Sequence, residues 1–471
     1  MITLLLIKDI RLLLKDLKYQ VFFLVLIALF ILSAISGSVT YKTQTAEYQK
    51  LLNEHQNAVH NDTTYNMLYM LSRRDCISVI DTPSPALLFS GFENYHNQLF
   101  NGVMLYDPLF QSYGSAGLRA FNLNWYFILG VLSGFIMLIM SFEALSSEKR
   151  AGTFRLTTIY GSKRQSVMWS KYISYMLLYL ITIVPPALIS IILFFALTGT
   201  WQLNYMMQFL LIILLSIPFA SFFVFLGMFI SMAKNYRNAI VMVIFVWLLF
   251  VIIIPQSANI FGKLISPIKT TTEYRQLKQD AWNTEIKTWT DKYNEKVMGN
   301  GSLADGLRVK AVNASDEKRN LIEQQELAEN KRQVKTIKLI ASLSPFTQFE
   351  AISEIIFDKG FYLQRHLQET MKNTLFQVRN LMIAQDNRDE TSLNLFYSGA
   401  VGDLGAVSHD GLTTFSKHKF EHPNLLFVTN IQTDDGLSKT LKIILRLLPI
   451  LSLNLLLIVF SVLKLERLDI R

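Results

Sequence analysis

The chain has 471 residues, of which 51% are hydrophobic and 17% charged, and its formal net charge is +9. This composition excludes an ordinary soluble protein, which carries more charge at this length. The single cysteine, Cys76, excludes an intramolecular disulfide and any metal site built from several cysteines. The apolar residues gather in runs of about 20, the length that crosses a bilayer as a helix.

The first predicted element is an amphipathic cytoplasmic helix over residues 1–18. Its basic side chains Lys8, Arg11, Lys15 and Lys18 lie opposite an apolar face. No small-x-small cleavage site follows the apolar run after it. We therefore interpret that run as an uncleaved first span.

Six runs are long enough to cross about 30 Å of hydrocarbon. The predicted spans are residues 19–40, 123–142, 172–197, 206–231, 238–254 and 447–463. Pro185, Pro186 and Pro218 lie inside the third and fourth spans and predict kinks whose freed carbonyls bond to neighbouring helices. The predicted fold class is an all-α polytopic membrane protein with six transmembrane helices and two external, mainly helical insertions.

The connections between the spans differ greatly in length and charge. Two are long, residues 41–122 and 255–446. The net charge of +9 is confined to four short segments: 1–18, 142–171, 232–237 and 464–471. By the positive-inside rule, both termini and the connection after the second span are cytoplasmic, and the long regions are external. The excess of basic residues therefore indicates the orientation of the chain in the membrane, and no nucleic-acid partner is predicted.

The second external region is predicted to contain a helical hairpin or stalk. Trp282, Ile286 and Trp289 recur at spacings of three and four, which predicts a helix with one apolar stripe. A second helix is predicted over residues 316–340. Short strands are predicted only further on, as at residues 425–429.

The sequence offers little for catalysis or metal binding. His418 and His422 have the spacing of two metal ligands on one helical face, but Pro423 favours a loop, and no metal site is predicted. No Ser/His/Asp or paired-carboxylate constellation stands out, so we expect no enzyme. No G-x-x-x-x-G-K-[ST] sequence occurs, so any ATPase that drives the protein is a separate chain.

The cytoplasmic connection over residues 143–171 is the most informative segment. It contains a basic cluster, a Gly-Thr pair, a short apolar stretch and a Gly-Ser turn before the third span. An amphipathic in-plane helix that docks onto a partner protein fits this pattern. An ordinary basic loop at the lipid headgroups fits it equally well.

Three motifs in this connection resemble the coupling segment of ABC-2 type permeases. They are Glu148-Lys149-Arg150-Ala151-Gly152-Thr153, Gly161-Ser162-Lys163-Arg164 and Ser170-Lys171-Tyr172. Tyr160-Gly161 stands where that family usually has proline, and Ser170 where it usually has glycine. The resemblance extends to the six spans, the basic N-terminal helix, the element at Ser344-Pro345, and the subgroup with long insertions after spans one and five.

The resemblance implies a membrane permease subunit of a bacterial ABC exporter, in the inner membrane. Its implied partners are ABC ATPase subunits, which bind ATP and Mg, a second permease subunit, the lipid bilayer and another envelope protein. The implied coupling residues, which enter a groove of the ATPase, are Glu148, Gly152, Thr153, Arg155 and Gly161. Glycine there permits close backbone approach, and Glu148 is expected to cap the helix or pair with a basic residue of the ATPase.

Gly130 and Gly134 form a small-residue face in the second span, which lets helices approach closely. Packing at a dimer seam and packing within one subunit both fit this face.

The alternative function is a membrane-anchored sensor or envelope assembly scaffold with an external ligand-binding domain. The absence of a large cytoplasmic output domain argues against it. A four-span permease that moves lipoproteins is a second alternative, and six spans argue against that one.

Overall fold

The computed structural model describes most of the 471-residue chain. The described residues are 2–61, 77–79, 84–85, 88, 98–101, 109–112, 124–150, 152–153, 163–233, 236–293, 302–390, 418–428 and 435–466. Six of the described helices are long and apolar enough to cross a membrane. The predicted fold class, an all-α polytopic membrane protein, is therefore confirmed.

Helices account for most of the described residues. In chain order they are α1 (Ile2–Lys15), α2 (Leu17–Asn61), α3 (Ser133–Ser141), α4 (Ser146–Arg150), α5 (Arg164–Thr198), α6 (Leu203–Ser231), α7 (Tyr236–Leu248), α8 (Ile254–Ile265), α9 (Thr271–Tyr293), α10 (Ser302–Ala341), α11 (Pro345–Phe357), α12 (Gly360–Asp386) and α13 (Gly436–Glu466). A π-helical segment, Phe127–Leu132, precedes α3, and another, Leu249–Ile253, joins α7 to α8. The candidate spans are Leu17–Glu54, Phe127–Lys149, Arg164–Thr198, Leu203–Ser231, Arg237–Ile265 and Gly436–Glu466.

A small sheet joins the two long connections. Its strands are β1 (Ile77–Val79), β2 (Gln98–Asn101), β3 (Leu109–Ser112) and β4 (Phe427–Val428), in the order β3-β2-β1-β4. The pairs β1–β2 and β2–β3 are antiparallel, and β1 pairs with β4 in parallel. β4 lies within the strand expected at residues 425–429. The other three strands were not expected, because none exceeds four residues and such short runs give no clear alternation.

Aromatic side chains fill the centre of the helical bundle. Trp125 is fully buried, with its ring edge-on to Phe30 at a centroid distance of 5.2 Å and 5.1 Å from the ring of Phe209. Its indole Nε1 donates a hydrogen bond to Ser190 Oγ at 3.1 Å. A buried indole needs such a partner, because lipid supplies none.

The fourth span continues through its proline. Pro218 lies inside α6, and Asn454 Nδ2 of α13 donates to the Pro218 carbonyl oxygen at 2.9 Å. A neighbouring helix therefore bonds to the carbonyl of the proline itself. The carbonyl that Pro218 frees belongs to Leu214, four residues earlier, so the expected bond to a freed carbonyl stays a prediction.

The helix of the fifth span continues past Pro255. Proline lacks an N–H and its ring crowds the carbonyl four residues earlier, which disturbs a regular helix. The chain accommodates Pro255 with the π-helical segment Leu249–Ile253 and then continues to Ile265. Ser344 Oγ donates to the carbonyl oxygen of Phe250, inside this segment, at 2.5 Å.

Helix α11 packs inside the bundle although it is too short to be a span. Ser344 caps its N-terminus by accepting from Phe346 N at 3.2 Å, and its C-cap Asp358 has a positive φ of 50°. Phe349 stacks on Phe219 of α6 at 4.9 Å, and Phe357 contacts Phe209 at 5.1 Å. This part of the second long connection therefore belongs to the core of the bundle.

Helices α9 and α10 form the predicted hairpin, and polar pairs join them. Tyr274 OH donates to Glu329 Oε2 at 2.5 Å, and Lys278 Nζ lies 3.4 Å from Glu326 Oε2. The stripe residue Trp289 is only partly buried. The hairpin thus depends on hydrogen bonds and ion pairs that the hydrophobic pattern did not reveal.

Candidate coupling site

The short helix α4 is followed by Gly152, two residues after its last residue. The backbone N–H of Gly152 donates to the Lys149 carbonyl at 3.2 Å, and its φ is +70°. Glycine favours this left-handed conformation, which commonly ends a helix. Thr153 Oγ1 then donates back to the Glu148 carbonyl at 3.3 Å. The Gly-Thr pair therefore has a local role as the stop of α4.

One side of this helix is open. We call Ser147, Gly152 and Thr153 the α4 surface, because all three residues are exposed. A Cβ atom built on Gly152 would meet no atom within 4 Å. The α4 surface thus has room for another backbone to approach.

Glu148 of the same helix pairs with lysines of its own chain. Its Oε1 accepts from Lys171 Nζ at 2.9 Å and lies 3.6 Å from Lys8 Nζ. The side chain is 15% exposed. The structure therefore gives this carboxylate an intramolecular role, and its expected pairing with an ATPase stays a prediction.

Lys171 also contacts Asp9 of α1, with Nζ 3.8 Å from Oδ2. We call Lys8, Asp9, Glu148 and Lys171 the ion cluster. Burial raises the pKa of the Asp9 carboxyl, and the Lys171 ammonium opposes this shift. The sequence analysis assigned no role to Asp9. The feature that could have indicated one is the position of this acidic residue among the basic residues of the first helix.

Other charged contacts gather at the same end of the bundle. Lys18 Nζ donates to both carboxylate oxygens of Glu143 at 3.1 Å. Arg164 Nη1 donates to the carbonyl oxygen of Glu466 at 3.0 Å, at the C-terminus of α13. Lys464 Nζ donates to the Phe229 carbonyl at 3.1 Å, near the end of α6. Cations near helix C-termini complement the helix dipole.

Gly130 and Gly134 pack against aromatic rings of the same chain. A Cβ on Gly130 would lie 3.1 Å from Phe346 of α11, and one on Gly134 would lie 2.9 Å from Phe223 of α6. The sequence analysis did not predict a further close approach between helices, at Gly227. A Cβ on Gly227 of α6 would overlap the hydroxyl of Ser141 and lie 3.0 Å from the Leu138 carbonyl oxygen.

Two expected coupling residues, Arg155 and Gly161, lie outside the described residues.

The two histidines with metal-ligand spacing have different neighbours. His418 Nε2 lies 3.7 Å from Asp389 Oδ2, whereas the His422 ring contacts Phe420. In the part of the chain that the structure describes, no group of three or more His, Cys, Asp or Glu residues is arranged to hold a metal ion.

Comparison with known proteins covers the bundle except for α13. A family model described as "ABC-2 family transporter protein" matches residues 4–383. The matched range includes α1, α4 and all elements up to most of α12. No curated protein and no solved structure matches the chain.

Proposed function

Since the chain belongs to the ABC-2 transporter family, we propose that it is the subunit that couples a separate ATPase to export across a bacterial inner membrane. It is a multi-pass membrane protein and a membrane permease of an ABC transporter. Membrane subunits of this family work with ABC ATPases, and the family mostly exports. ATP and Mg are assigned to that partner, because the sequence contains no P-loop.

The observation that carries the proposal is the α4 surface. Ser147, Gly152 and Thr153 are exposed beside an open space, while Glu148 of the same helix is tied to the bundle by Lys171. A partner that docks on this surface contacts a helix that Glu148 and Lys171 join to the transmembrane bundle. ATP binding closes the ATPase dimer, α4 is displaced, and the bundle tilts to open a path between two permease subunits. The second permease copy belongs to the proposal.

A reconstitution experiment tests this function. The permease is co-expressed with an ABC ATPase subunit from the same organism, purified through a tag on the permease, and placed in lipid nanodiscs. We expect a stable complex whose ATP turnover differs from that of the ATPase alone. The same complex with the P-loop lysine of the ATPase replaced gives the background rate. An ATPase that neither co-purifies nor changes its turnover contradicts the proposal.

The proposed orientation places the ion-cluster end in the cytoplasm. Contacts bring the N-terminal helix, α4, the start of α5 and the end of α13 to this end, and Lys8, Lys171 and Arg164 from the basic segments make these contacts. In a Cys76→Ser background, we expect an impermeant thiol reagent to label Thr284→Cys in intact cells but Lys163→Cys only after permeabilisation. Both positions are exposed in the structure. The reverse labelling pattern contradicts this orientation.

A further inference from the structure

Three members of the ion cluster are largely buried although the cluster lies at the end of the bundle, and the fourth, Lys8, is 45% exposed. The side chains of Lys171, Asp9 and Glu148 are 8%, 10% and 15% exposed. A buried ammonium group is tolerated only where carboxylates replace its lost hydration. Lys171 has two such carboxylates, one from α1 and one from α4.

The four charges of the cluster also balance. Lys8 and Lys171 contribute two positive charges, and Asp9 and Glu148 contribute two negative charges. Removing Lys171, Asp9 or Glu148 alone leaves an unbalanced charge among poorly hydrated groups, which is unfavourable. The cluster therefore holds its three elements in one relative arrangement.

Lys171 occupies the junction of these elements. It lies two turns into α5, which packs along both α1 and α2. Its 2.9 Å bond to Glu148 links α5 to α4, the helix that carries the α4 surface. By contrast, Ser146 and Ser147 donate to the carbonyls of Phe142 and Glu143, one turn earlier in their own segment. Those two bonds connect α4 to no other element.

We propose that Lys171 is the positioning residue of a transmission joint, in which the ion cluster moves α1, α4 and the start of α5 as one unit. The inference rests on the proposed function, because it requires an ATPase docked at the α4 surface. It assigns α1 a part in the coupling itself, through Asp9, beyond attachment to the membrane surface.

The decisive variant removes the joint without leaving an unbalanced charge. Asp9→Asn combined with Lys171→Met deletes one charge of each sign and leaves Glu148 beside Lys8. We expect this double variant to keep the melting temperature of the wild type and to co-purify with the ATPase, since the α4 surface is unchanged. Its permease-dependent change in ATP turnover is expected to fall about tenfold, within the roughly 5–150-fold range typical of coupling between sites.

A charge exchange tests the pairing itself. Lys171→Glu alone gives the cluster two excess negative charges and is expected to lose the turnover response. Adding Asp9→Lys restores the balance and is expected to recover most of it. Lys50→Met is the matched control, because Lys50 pairs with Glu54 on the exposed surface of α2 and its removal should change neither binding nor turnover.

The outcomes separate the two proposals. A wild-type chain that does not change ATPase turnover overturns the proposed function and this inference with it. A responding wild type with an equally responding Asp9→Asn/Lys171→Met variant overturns the inference alone. The inference is also overturned if the double variant loses its turnover response together with its melting temperature or its complex with the ATPase. Lys171 is then a structural residue only.

Discussion

Gly152→Trp is expected to reduce the ATPase recovered with the purified permease to background. The α4 surface is open at Gly152, which has no side chain, and a Cβ atom built there would meet no atom within 4 Å. An indole at this position fills the space that the proposed partner must occupy. Because Gly152 is exposed, the substitution leaves the core of the bundle untouched, and the protein should still reach the membrane.

Backbone strain is the competing explanation, and the chain offers a matched control for it. Gly152 has a φ of +70°, and Gly199 at the far end of α5 has a φ of +72°, is also exposed and also has nothing within 4 Å. A residue with a side chain costs about 1–2 kcal/mol in this conformation at either position. Gly199→Trp therefore carries the same strain and bulk without blocking α4. Equal recovery of the ATPase with both variants would falsify docking at the α4 surface.

The number of spans was predictable because each long apolar run fits one crossing of the bilayer. The continuation of the helix past Pro255 was not predictable, because a proline indicates the end of a helix unless a π-helical segment accommodates it. Helix α11 was missed as a core element because its 13 residues are too few to span a membrane. Its position depends on contacts with α6 and α13, which no local pattern encodes.

The candidate site was predictable to a different degree at each residue. The Gly-Thr pair was found through its resemblance to a family motif, and the structure adds a local cause in the positive φ of Gly152. The direction in which Glu148 points could not be predicted, because it depends on Lys8 and Lys171 from two other helices. Asp9 was missed for the same reason, since its partner Lys171 is distant in sequence.

Gly227→Leu is expected to prevent recovery of a folded, monodisperse protein. Helix propensity alone favours the change, since leucine is better than glycine in a helix by about 1 kcal/mol. The contact with α3 opposes it. A Cβ on Gly227 would overlap the Ser141 hydroxyl and lie 3.1 Å from the backbone nitrogen of Phe142. Overpacking costs about 1–3 kcal/mol when neighbours can move, and a backbone atom of the adjacent helix cannot move without separating α3 from α6.

Smaller changes at the same contact give a graded test. Gly227→Ala should lower the melting temperature in detergent, and adding Ser141→Ala should recover part of the loss, because it removes the nearest atom. Ser141 Oγ donates only to carbonyls one turn earlier, so its removal alone should have little effect. Gly436→Leu is the control, since a Cβ there meets nothing within 4 Å. If Gly227→Leu melts at the wild-type temperature, the α3–α6 contact is looser than the structure indicates, and close packing at Gly227 is refuted.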